Sequence, residues 1–80
     1  MIPPRISNAK ALDNFNIEIT YVNGEKKIYD MSKFLKHPAY IKLKNKLYFD
    51  LVKSAETTIE WPDGEDVDPN ELYNNSISIK

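Results

Sequence analysis

The chain contains no cysteine and only two glycines, and both shortages exclude kinds of site. Without cysteine, neither a disulfide nor a thiolate metal cluster can hold the fold together. Two glycines are too few for the glycine-rich loop in which the backbone approaches the phosphates of a nucleotide. Apolar runs are no longer than three residues, far short of the roughly 20 that a transmembrane helix needs. Nucleotide-binding and membrane-spanning classes are therefore disfavoured.

What is present indicates a small soluble domain. Its 80 residues lie close to the lower limit at which one core is self-sufficient, and such a domain buries roughly 60% of the surface that its unfolded chain exposes. Residues 1–5 lack the charged-then-apolar layout of a signal peptide. We therefore expect a cytoplasmic protein without membrane contact, whose modest core leaves room for support from a partner.

Opposite charges are segregated along the chain, although the net charge is −1. The basic segment, residues 31–53, holds one acid, Asp50, and six lysines: Lys33, Lys36, Lys42, Lys44, Lys46 and Lys53. The acidic segment, residues 54–79, holds no Lys or Arg and seven acids: Glu56, Glu60, Asp63, Glu65, Asp66, Asp68 and Glu71. Such a separation is typical of a nucleic-acid face, an acidic interaction surface or head-to-tail self-association. The plainer interpretation is that the two segments lie side by side and neutralise each other.

The sequence also repeats in outline at a spacing of 40 residues. Residues 19–25 read Ile-Thr-Tyr-Val-Asn-Gly-Glu, and residues 59–65 read Ile-Glu-Trp-Pro-Asp-Gly-Glu. Asn23-Gly24 predicts a type I′ turn with two residues at positive φ, and Asp63-Gly64 predicts a second tight turn. The pattern indicates two hairpin-like units. A duplicated ancestor would explain it, and so would turn chemistry alone, which favours these dipeptides between any two paired strands.

Strands are predicted from the alternation of apolar and polar residues. The clearest alternation precedes Asn23, and its returning strand follows Gly24. Turns at Asp13-Asn14 and over residues 53–56 connect neighbouring strands. In chain order, the predicted strands cover residues 5–12, 15–21, 25–29, 48–52 and 57–61.

Short helices are predicted from capping residues and proline. Asp30 or Ser32 can cap a helix that turns Phe34 and Leu35 inward, and Pro38 ends or restarts that helix. The stretch that follows Pro38 fits both helical and strand spacing up to residue 47, and we favour a short helix or turn there.

Another helix start stands at Asp68-Pro69-Asn70-Glu71. Asp68 is the predicted N-cap, Pro69 the first helical residue and Glu71 the carboxylate of a capping box. Beyond residue 73, Ile77 and Ile79 alternate with polar residues, a pattern that fits either a frayed tail or an edge strand.

These elements predict an α+β fold with a small, mainly antiparallel sheet of about four to five strands in two hairpin-like units, and two or three short helices. Each unit follows the order strand, Asn/Asp-Gly turn, short return and acid-capped helix. We expect a single domain over residues 5–73, with a flexible N-terminus over residues 1–4 and a C-terminal tail over residues 74–80.

No pattern of catalytic or metal-binding residues stands out. The single histidine, His37, lies in the basic segment without the neighbouring acid or serine of a relay, which is typical of a solvated surface group. The acids of residues 63–68 suggest calcium, but the glycine is second rather than sixth in the run and Glu71 is not twelfth. We predict no catalytic residue, no cofactor and no metal, and a protein that is not an enzyme.

Candidate binding residues come from the two charged segments. Trp61 is the only tryptophan, and such a ring serves either as a core anchor or as an exposed interface hot spot. With the acids near it, the partner-interaction candidates are Trp61, Asp63, Glu65 and Asp66. The lysines of the basic segment suit phosphate contacts and its interleaved Tyr40 and Tyr48 suit base stacking, although the segment lacks arginine. A solvated helix face is the plainer interpretation of this segment. Its nucleic-acid candidates are Lys33, Lys36, Lys42, Lys44 and Lys46.

The order of residues resembles a known family. Its most specific part is the run Ile-x-Trp-x-x-Gly-x-Asp-x-x-Pro-x-x-Leu-Tyr, matched from Ile59 to Tyr73. Over roughly residues 5–73, the chain resembles the small prokaryotic family called domain of unknown function 2442. The resemblance implies an α+β domain with a mainly antiparallel sheet and no established catalytic site. The upstream residues that follow the family order are Gly24-Glu25, Tyr29-Asp30, Phe34-Leu35 and Tyr48-Phe49.

The resemblance also implies a partner. Some relatives are fused to a helix-turn-helix segment and others are encoded beside another small protein, which suggests regulatory or antitoxin-like members of two-gene pairs. Our leading hypothesis is a non-enzymatic protein-interaction module whose partner is a neighbouring gene product. Homo-oligomers held by opposite charges stay open. The alternative hypothesis is a nucleic-acid-binding protein that uses the lysine-rich stretch 33–53.

Overall fold

The protein folds as a larger and a smaller antiparallel sheet with short helices. The computed structural model describes residues 2–79. Its strands are β1 (Ile6–Ala11), β2 (Asn16–Tyr21), β3 (Lys26–Asp30), β4 (Lys53–Ala55), β5 (Thr58–Glu60) and β6 (Ile77–Ser78). Its α-helices are α1 (Lys46–Phe49) and α2 (Pro69–Asn75), and 3-10 turns cover Asp13–Phe15, Ser32–Phe34 and Pro38–Lys44. The predicted α+β class is confirmed, with six strands in the described residues.

The larger sheet has the strand order β1-β2-β3-β6, and the smaller sheet pairs β4 with β5. Alternation along β2 creates the main core, because Ile17, Ile19 and Tyr21 are buried while the residues between them lie on the more exposed face. The rings of Tyr21 and Tyr73 of α2 form a T-shaped pair, with centroids 5.1 Å apart. The inner face of the larger sheet therefore packs against α2.

The first hairpin turn has three residues rather than two. The Tyr21 N–H donates to the Glu25 carbonyl (2.8 Å), and the Gly24 N–H donates to the Tyr21 carbonyl (3.0 Å). Within the loop, residues 22–24, glycine is the residue with a positive φ, at 93°. This geometry matches a type I turn followed by one left-handed residue. The predicted type I′ turn is therefore wrong, although the place of the reversal is confirmed.

The second turn repeats this geometry. The Trp61 N–H donates to the Glu65 carbonyl (2.9 Å), and the Gly64 N–H donates to the Trp61 carbonyl (2.9 Å). Gly64 has a φ of 98°. The two hairpin units differ in their returning chains, since β3 has five residues whereas Glu60 and Asp66 form an isolated bridge.

The segment before the second hairpin differs from its prediction. A strand over residues 48–52 is wrong, because α1 begins at Lys46 and a turn follows it. Phe49 and Val52 are buried, and their spacing of three places both on one side of a helical turn. A turn over residues 53–56 is also wrong, since β4 occupies most of that range. A segment this short and of mixed polarity fits both the helical period and the strand period, so its pattern does not distinguish a helix from a strand.

Helix α2 begins where the capping residues predict. Asp68 Oδ2 accepts hydrogen bonds from the N–H groups of Asn70 and Glu71, both at 3.1 Å, which confirms Asp68 as the N-cap. The predicted capping box is wrong, because the Glu71 carboxylate accepts from the Tyr29 hydroxyl (2.9 Å) instead. This bond joins α2 to β3.

The predicted termini are described only in part. Met1, in the expected flexible N-terminus, and Lys80, in the expected tail, lie outside the described residues. Pro3 is buried, α2 extends to Asn75, and β6 pairs with β3 beyond it. The edge-strand interpretation of the C-terminal alternation is thus confirmed, while the domain bounds stay a prediction.

Candidate functional site

The acidic and basic segments meet in the fold. Lys42 forms an ion pair with Asp63 of the second turn, and Lys53 Nζ lies 3.8 Å from Glu60 Oε1 on the neighbouring strand. The hydrogen bond to Asp63 raises the pKa of Lys42 above its usual value. For these pairs, the plainer interpretation of the charge pattern is confirmed.

The acids of the second turn have partners within the chain. The Tyr48 hydroxyl donates to the Glu65 carboxylate (2.6 Å), and its oxygen accepts from the Asp63 backbone N–H (2.9 Å). Burial, and then the bond to Glu65, raises the pKa of Tyr48. The Asp66 side chain is exposed, while its backbone carbonyl accepts from the Tyr40 hydroxyl (2.9 Å). The turn is therefore tied to the helical segment before it, and Asp63 and Glu65 already have structural uses.

Trp61, a candidate for partner contact, is a core residue. It is 1% exposed, and its Nε1–H donates to the Phe49 carbonyl (2.9 Å). The two rings also pack together, with centroids 5.9 Å apart. Of the two interpretations of Trp61, the core anchor is confirmed and the exposed hot spot is wrong, because the ring fills the space between α1 and the second hairpin. A partner would reach Trp61 only if the core opened.

The nucleic-acid candidates are not equally available. Lys46 pairs with Asp50, in addition to the pair that Lys42 makes. Lys33, Lys36 and Lys44 are exposed and have no ion pair within residues 2–79. The nucleic-acid hypothesis therefore has three unpaired lysines out of its five candidates.

The titratable side chains do not form a metal centre within residues 2–79, where no group of three His, Cys, Asp or Glu is placed to hold an ion. The exposed His37 has a structural use. Its Nδ1 accepts from the Ala39 N–H (3.1 Å) and caps the 3-10 turn over Pro38–Lys44.

Strand β6 forms the outer edge of the larger sheet. The Ile79 N–H donates to the Lys26 carbonyl (2.9 Å), and Ile77 pairs with Ile28 of β3. Backbone groups of successive residues in an antiparallel strand point to opposite sides. The N–H and C=O of Ser78 therefore point away from β3. Open backbone groups of this kind are a template for pairing with another chain.

Two apolar side chains on this edge are exposed. Ile77 is 71% exposed and Ile79 is 51% exposed, and alternation places both on one face. That face continues to Ile28, the half-buried cross-strand neighbour of Ile77. Single exposed apolar residues are ordinary, but a row of three beside open backbone groups is typical of a contact surface. The alternation in the sequence was the signal for this edge.

A cavity of about 210 Å³ lies between the 3-10 turns and α2, and sequence reasoning missed it. Its lining residues come from separate segments of the chain, so they meet through packing rather than through a local motif. The available signal was the run of aromatic residues over this part of the sequence, such as Tyr29 and Phe34. The lining combines rings, acids and aliphatic side chains: Tyr29, Met31, Phe34, Tyr40, Val67, Asp68 and Glu71.

Three rings and two carboxylates define the chemistry of this cavity. The Tyr29 and Phe34 rings stack with centroids 6.2 Å apart, and Tyr40 meets Phe34 edge-on at 6.3 Å. Burial, and then the hydrogen bond to Glu71, raises the pKa of Tyr29, and burial also raises the pKa of Tyr40. Both phenols are therefore neutral at pH 7. The lining presents electron-rich rings beside the carboxylates of Asp68 and Glu71.

Comparison with protein families shows to which family the chain belongs. The model of a family described as a protein of unknown function (DUF2442) matches residues 6–78. The chain belongs to this family. The resemblance noted over residues 5–73 is thus confirmed, and the match continues into β6. No curated protein and no solved structure matches the chain. In the described part of the chain, no helix combines the length and apolarity needed to cross a bilayer.

Proposed function

We propose that this protein is a non-enzymatic interaction module that binds another protein by accepting a partner strand at β6. The observation that carries the proposal is the open backbone of Ser78 between the exposed side chains of Ile77 and Ile79. An added strand satisfies the backbone groups and covers the two isoleucines at the same time. Binding at this edge needs no catalytic group.

The edge also favours one kind of partner segment. Natural edge strands are commonly protected by charged residues or proline, and residues 76–79 contain neither. An antiparallel partner strand places alternate side chains against the face of Ile77 and Ile79. We therefore expect a segment with β-branched or other apolar residues at alternate positions.

The finer proposal concerns the biological role. Family membership and the gene arrangements implied by the family resemblance support a regulatory, antitoxin-like role in a prokaryotic cytoplasm. The partner is then the product of the adjacent gene. The internal use of Asp63, Glu65 and Trp61 supports β6, rather than the acidic turn, as the first surface to test.

The experiment is co-expression with the adjacent gene product, followed by affinity purification and light scattering. Ser78→Pro removes the outward N–H and leaves the inward bonds of Ile77 and Ile79 in place, since an edge strand tolerates proline whose nitrogen faces solvent. Ser78→Ala is the matched control because it keeps the N–H. We expect the alanine variant to retain the complex and the proline variant to lose it, with similar thermal unfolding.

Other results of this experiment would contradict the proposal or indicate a different surface or partner. If the parent chain recovers no partner, the protein-binding proposal is wrong. A complex that survives Ser78→Pro uses another surface, such as the turn at Asp63. A dimer of the chain alone that Ser78→Pro dissociates means that the added strand comes from a second copy. Retardation of DNA or RNA that is lost in the triple variant K33Q/K36Q/K44Q, which removes the three lysines unpaired within residues 2–79, favours the nucleic-acid alternative.

A further inference from the structure

We propose that the cavity between the 3-10 turns and α2 binds one cationic side chain, the ammonium of lysine or the guanidinium of arginine, presented by a peptide. The inference goes beyond strand addition, because the cavity lining shares no residue with the β6 edge. It rests on three properties of the cavity: its size, its rings and its charge.

The size of the cavity limits the ligand to one side chain. Its volume of about 210 Å³ is smaller than the roughly 300–1,000 Å³ of typical small-molecule and cofactor pockets. A cavity of about 150 Å³ is enough to hold benzene. An alkyl stem with its charged head therefore fits, whereas a nucleotide does not.

The rings attract a cation. A positive charge within about 6 Å of a ring centroid is attracted to the electron-rich face. The chain already uses this attraction on these rings, since Lys33 Nζ lies 5.3 Å from the Phe34 centroid and 5.9 Å from that of Tyr29. Lys33 is not part of the cavity lining. Tyr29 is only 1% exposed, so the ring surface left for a second cation is that of the half-buried Phe34 and Tyr40.

The two carboxylates select a positive charge over a neutral group. Glu71 accepts from Tyr29 and from Asn75 Nδ2 (2.8 Å), and Asp68 accepts from two backbone N–H groups. A carboxylate offers about four lone-pair positions, so both can also accept from a ligand. The described lining contains no lysine or arginine. A neutral apolar ligand would desolvate two negative charges without compensation, and an anion would be repelled.

The test is a titration of the full chain with blocked amino acids, followed by two-dimensional NMR. The probes are N-acetyl-lysine methylamide and N-acetyl-arginine methylamide, and the neutral control is the same lysine compound acetylated at Nε. For so small a ligand, we expect a dissociation constant of the order of 1 mM. The resonances that shift should belong to Tyr29, Phe34, Tyr40 and the first turn of α2.

Two variants separate charge from folding. In the double variant Asp68→Asn/Glu71→Gln, asparagine still caps α2 and glutamine still offers an oxygen to Tyr29. We expect cation binding to weaken at least about tenfold, because charge-assisted hydrogen bonds become neutral ones. Glu18→Gln, on the opposite face of the sheet, is the matched control and should not change binding.

Substitution of Lys33 should change the affinity for cationic probes in the opposite direction. Lys33→Gln removes a like charge that contacts the same rings, so we expect cationic probes to bind about threefold more tightly. Loss of binding in Lys33→Gln would contradict the proposal, because it would mean that Lys33 holds the ligand.

Three other results would overturn the inference. They are equal binding of the Nε-acetylated control, unchanged binding in the double variant, and an absence of shifts at several tens of millimolar probe. n-Butylammonium carries the head and stem of lysine without a backbone, and equal affinity for it would overturn the peptide source. Ser78→Pro should leave the titration unchanged, so failure of strand addition and failure of this inference are distinguishable.

Discussion

The two hairpin turns at Gly24 and Gly64 are alike in their backbone and in how their tips are held. In each, the glycine N–H donates back across the loop and the residue after glycine closes it. That residue is a glutamate in both turns, and each glutamate accepts from a tyrosine hydroxyl at 2.6 Å. The tyrosines come from different helices. Glu25 accepts from Tyr73 of α2, and Glu65 accepts from Tyr48 of α1.

The difference lies in the buried aromatic residue that opens each turn. Tyr21 and Trp61 are both 1% exposed. The indole N–H of Trp61 is bonded to the Phe49 carbonyl, whereas the Tyr21 hydroxyl has no hydrogen-bond partner within residues 2–79. A buried polar group without a partner lowers stability. Equal burial at equivalent positions therefore does not mean equal stabilisation.

Truncating the two rings tests this contrast and gives the largest expected effect. Trp61→Ala deletes a buried ring, so we expect the free energy of unfolding to fall by about 3–5 kcal/mol. Tyr21→Phe removes only the unpaired hydroxyl, and we expect a change between zero and a gain of about 1 kcal/mol. Urea unfolding followed by circular dichroism measures both changes.

Trp61→Phe is the control for the first of these variants, because it keeps an aromatic ring and loses the indole N–H. Its effect should lie between those of the parent and Trp61→Ala. A substantial loss of stability in Tyr21→Phe would show that the hydroxyl is bonded, for instance to a buried water. The contrast between the two hairpins would then fail.

The next largest difference between the hairpins is expected at high pH, where the buried Tyr21 of the first hairpin titrates and the buried Trp61 of the second does not. Burial, and then the charges of Tyr73 and Glu25, raises the pKa of Tyr21 from 10.0 to about 12. Between these values, the unfolded chain loses a proton that the folded chain keeps. Titration of this group therefore leaves the free energy of unfolding unchanged below pH 10 and lowers it as the pH rises towards 12. Urea midpoints over this range should fall less steeply in Tyr21→Phe than in the parent.

Other tyrosines set the background of that experiment. The pKa values of Tyr29, Tyr40, Tyr48 and Tyr73 are also raised, so Tyr21→Phe should keep part of the alkaline decline. Identical slopes in the parent and the variant would place the decline in those four residues. The unpaired hydroxyl would then make no difference to stability at high pH.

Gly24→Ala and Gly64→Ala test whether the turns are alike in energy as well as geometry. A methyl group would meet no atom within 4 Å at either glycine, so its cost is that of the left-handed backbone alone. We expect about 1–2 kcal/mol at each position, measured by the same urea unfolding. A clearly larger cost at Gly64 would show that the turn with the shorter return adjusts less easily.

Local chemistry explains which elements the sequence predicts. The reversals depend on Asn-Gly and Asp-Gly, β2 on alternating residues such as Ile17 and Ile19, and the start of α2 on Asp68 and Pro69. Each is decided by near neighbours in the chain. α1 is too short for its period to be distinguished from that of a strand, and only its packing through Phe49 makes the difference.

The candidate sites depend on contacts that no local pattern records. Tyr29 and Glu71, which meet at the cavity, are 42 residues apart in the chain. Trp61 is suited to a core or an interface, and the indole bond to Phe49 decides between them. The alternation of Ile77 and Ile79 predicts a possible strand at β6, but it does not show whether another strand covers these residues.

The smallest expected effect concerns the ion pair between Lys42 and Asp63, which has no counterpart at the first turn among the ion pairs of residues 2–79. Their side chains are 58% and 54% exposed, and such pairs contribute little because solvent screens them and ordering costs entropy. We expect Lys42→Gln to leave the thermal unfolding midpoint unchanged in physiological salt. Any effect should appear at low salt and fade as salt is added.

Tyr48→Phe is the comparison for that variant, because it removes the part-buried hydroxyl that holds Glu65 and the Asp63 backbone. It should lower the midpoint more than Lys42→Gln does, and Tyr73→Phe should do the same at the first turn. If Lys42→Gln had the larger effect in physiological salt, the ion pair rather than the hydrogen bonds of Tyr48 would be the main stabilising contact of the second turn. The likeness of the two hairpins would then end at the backbone.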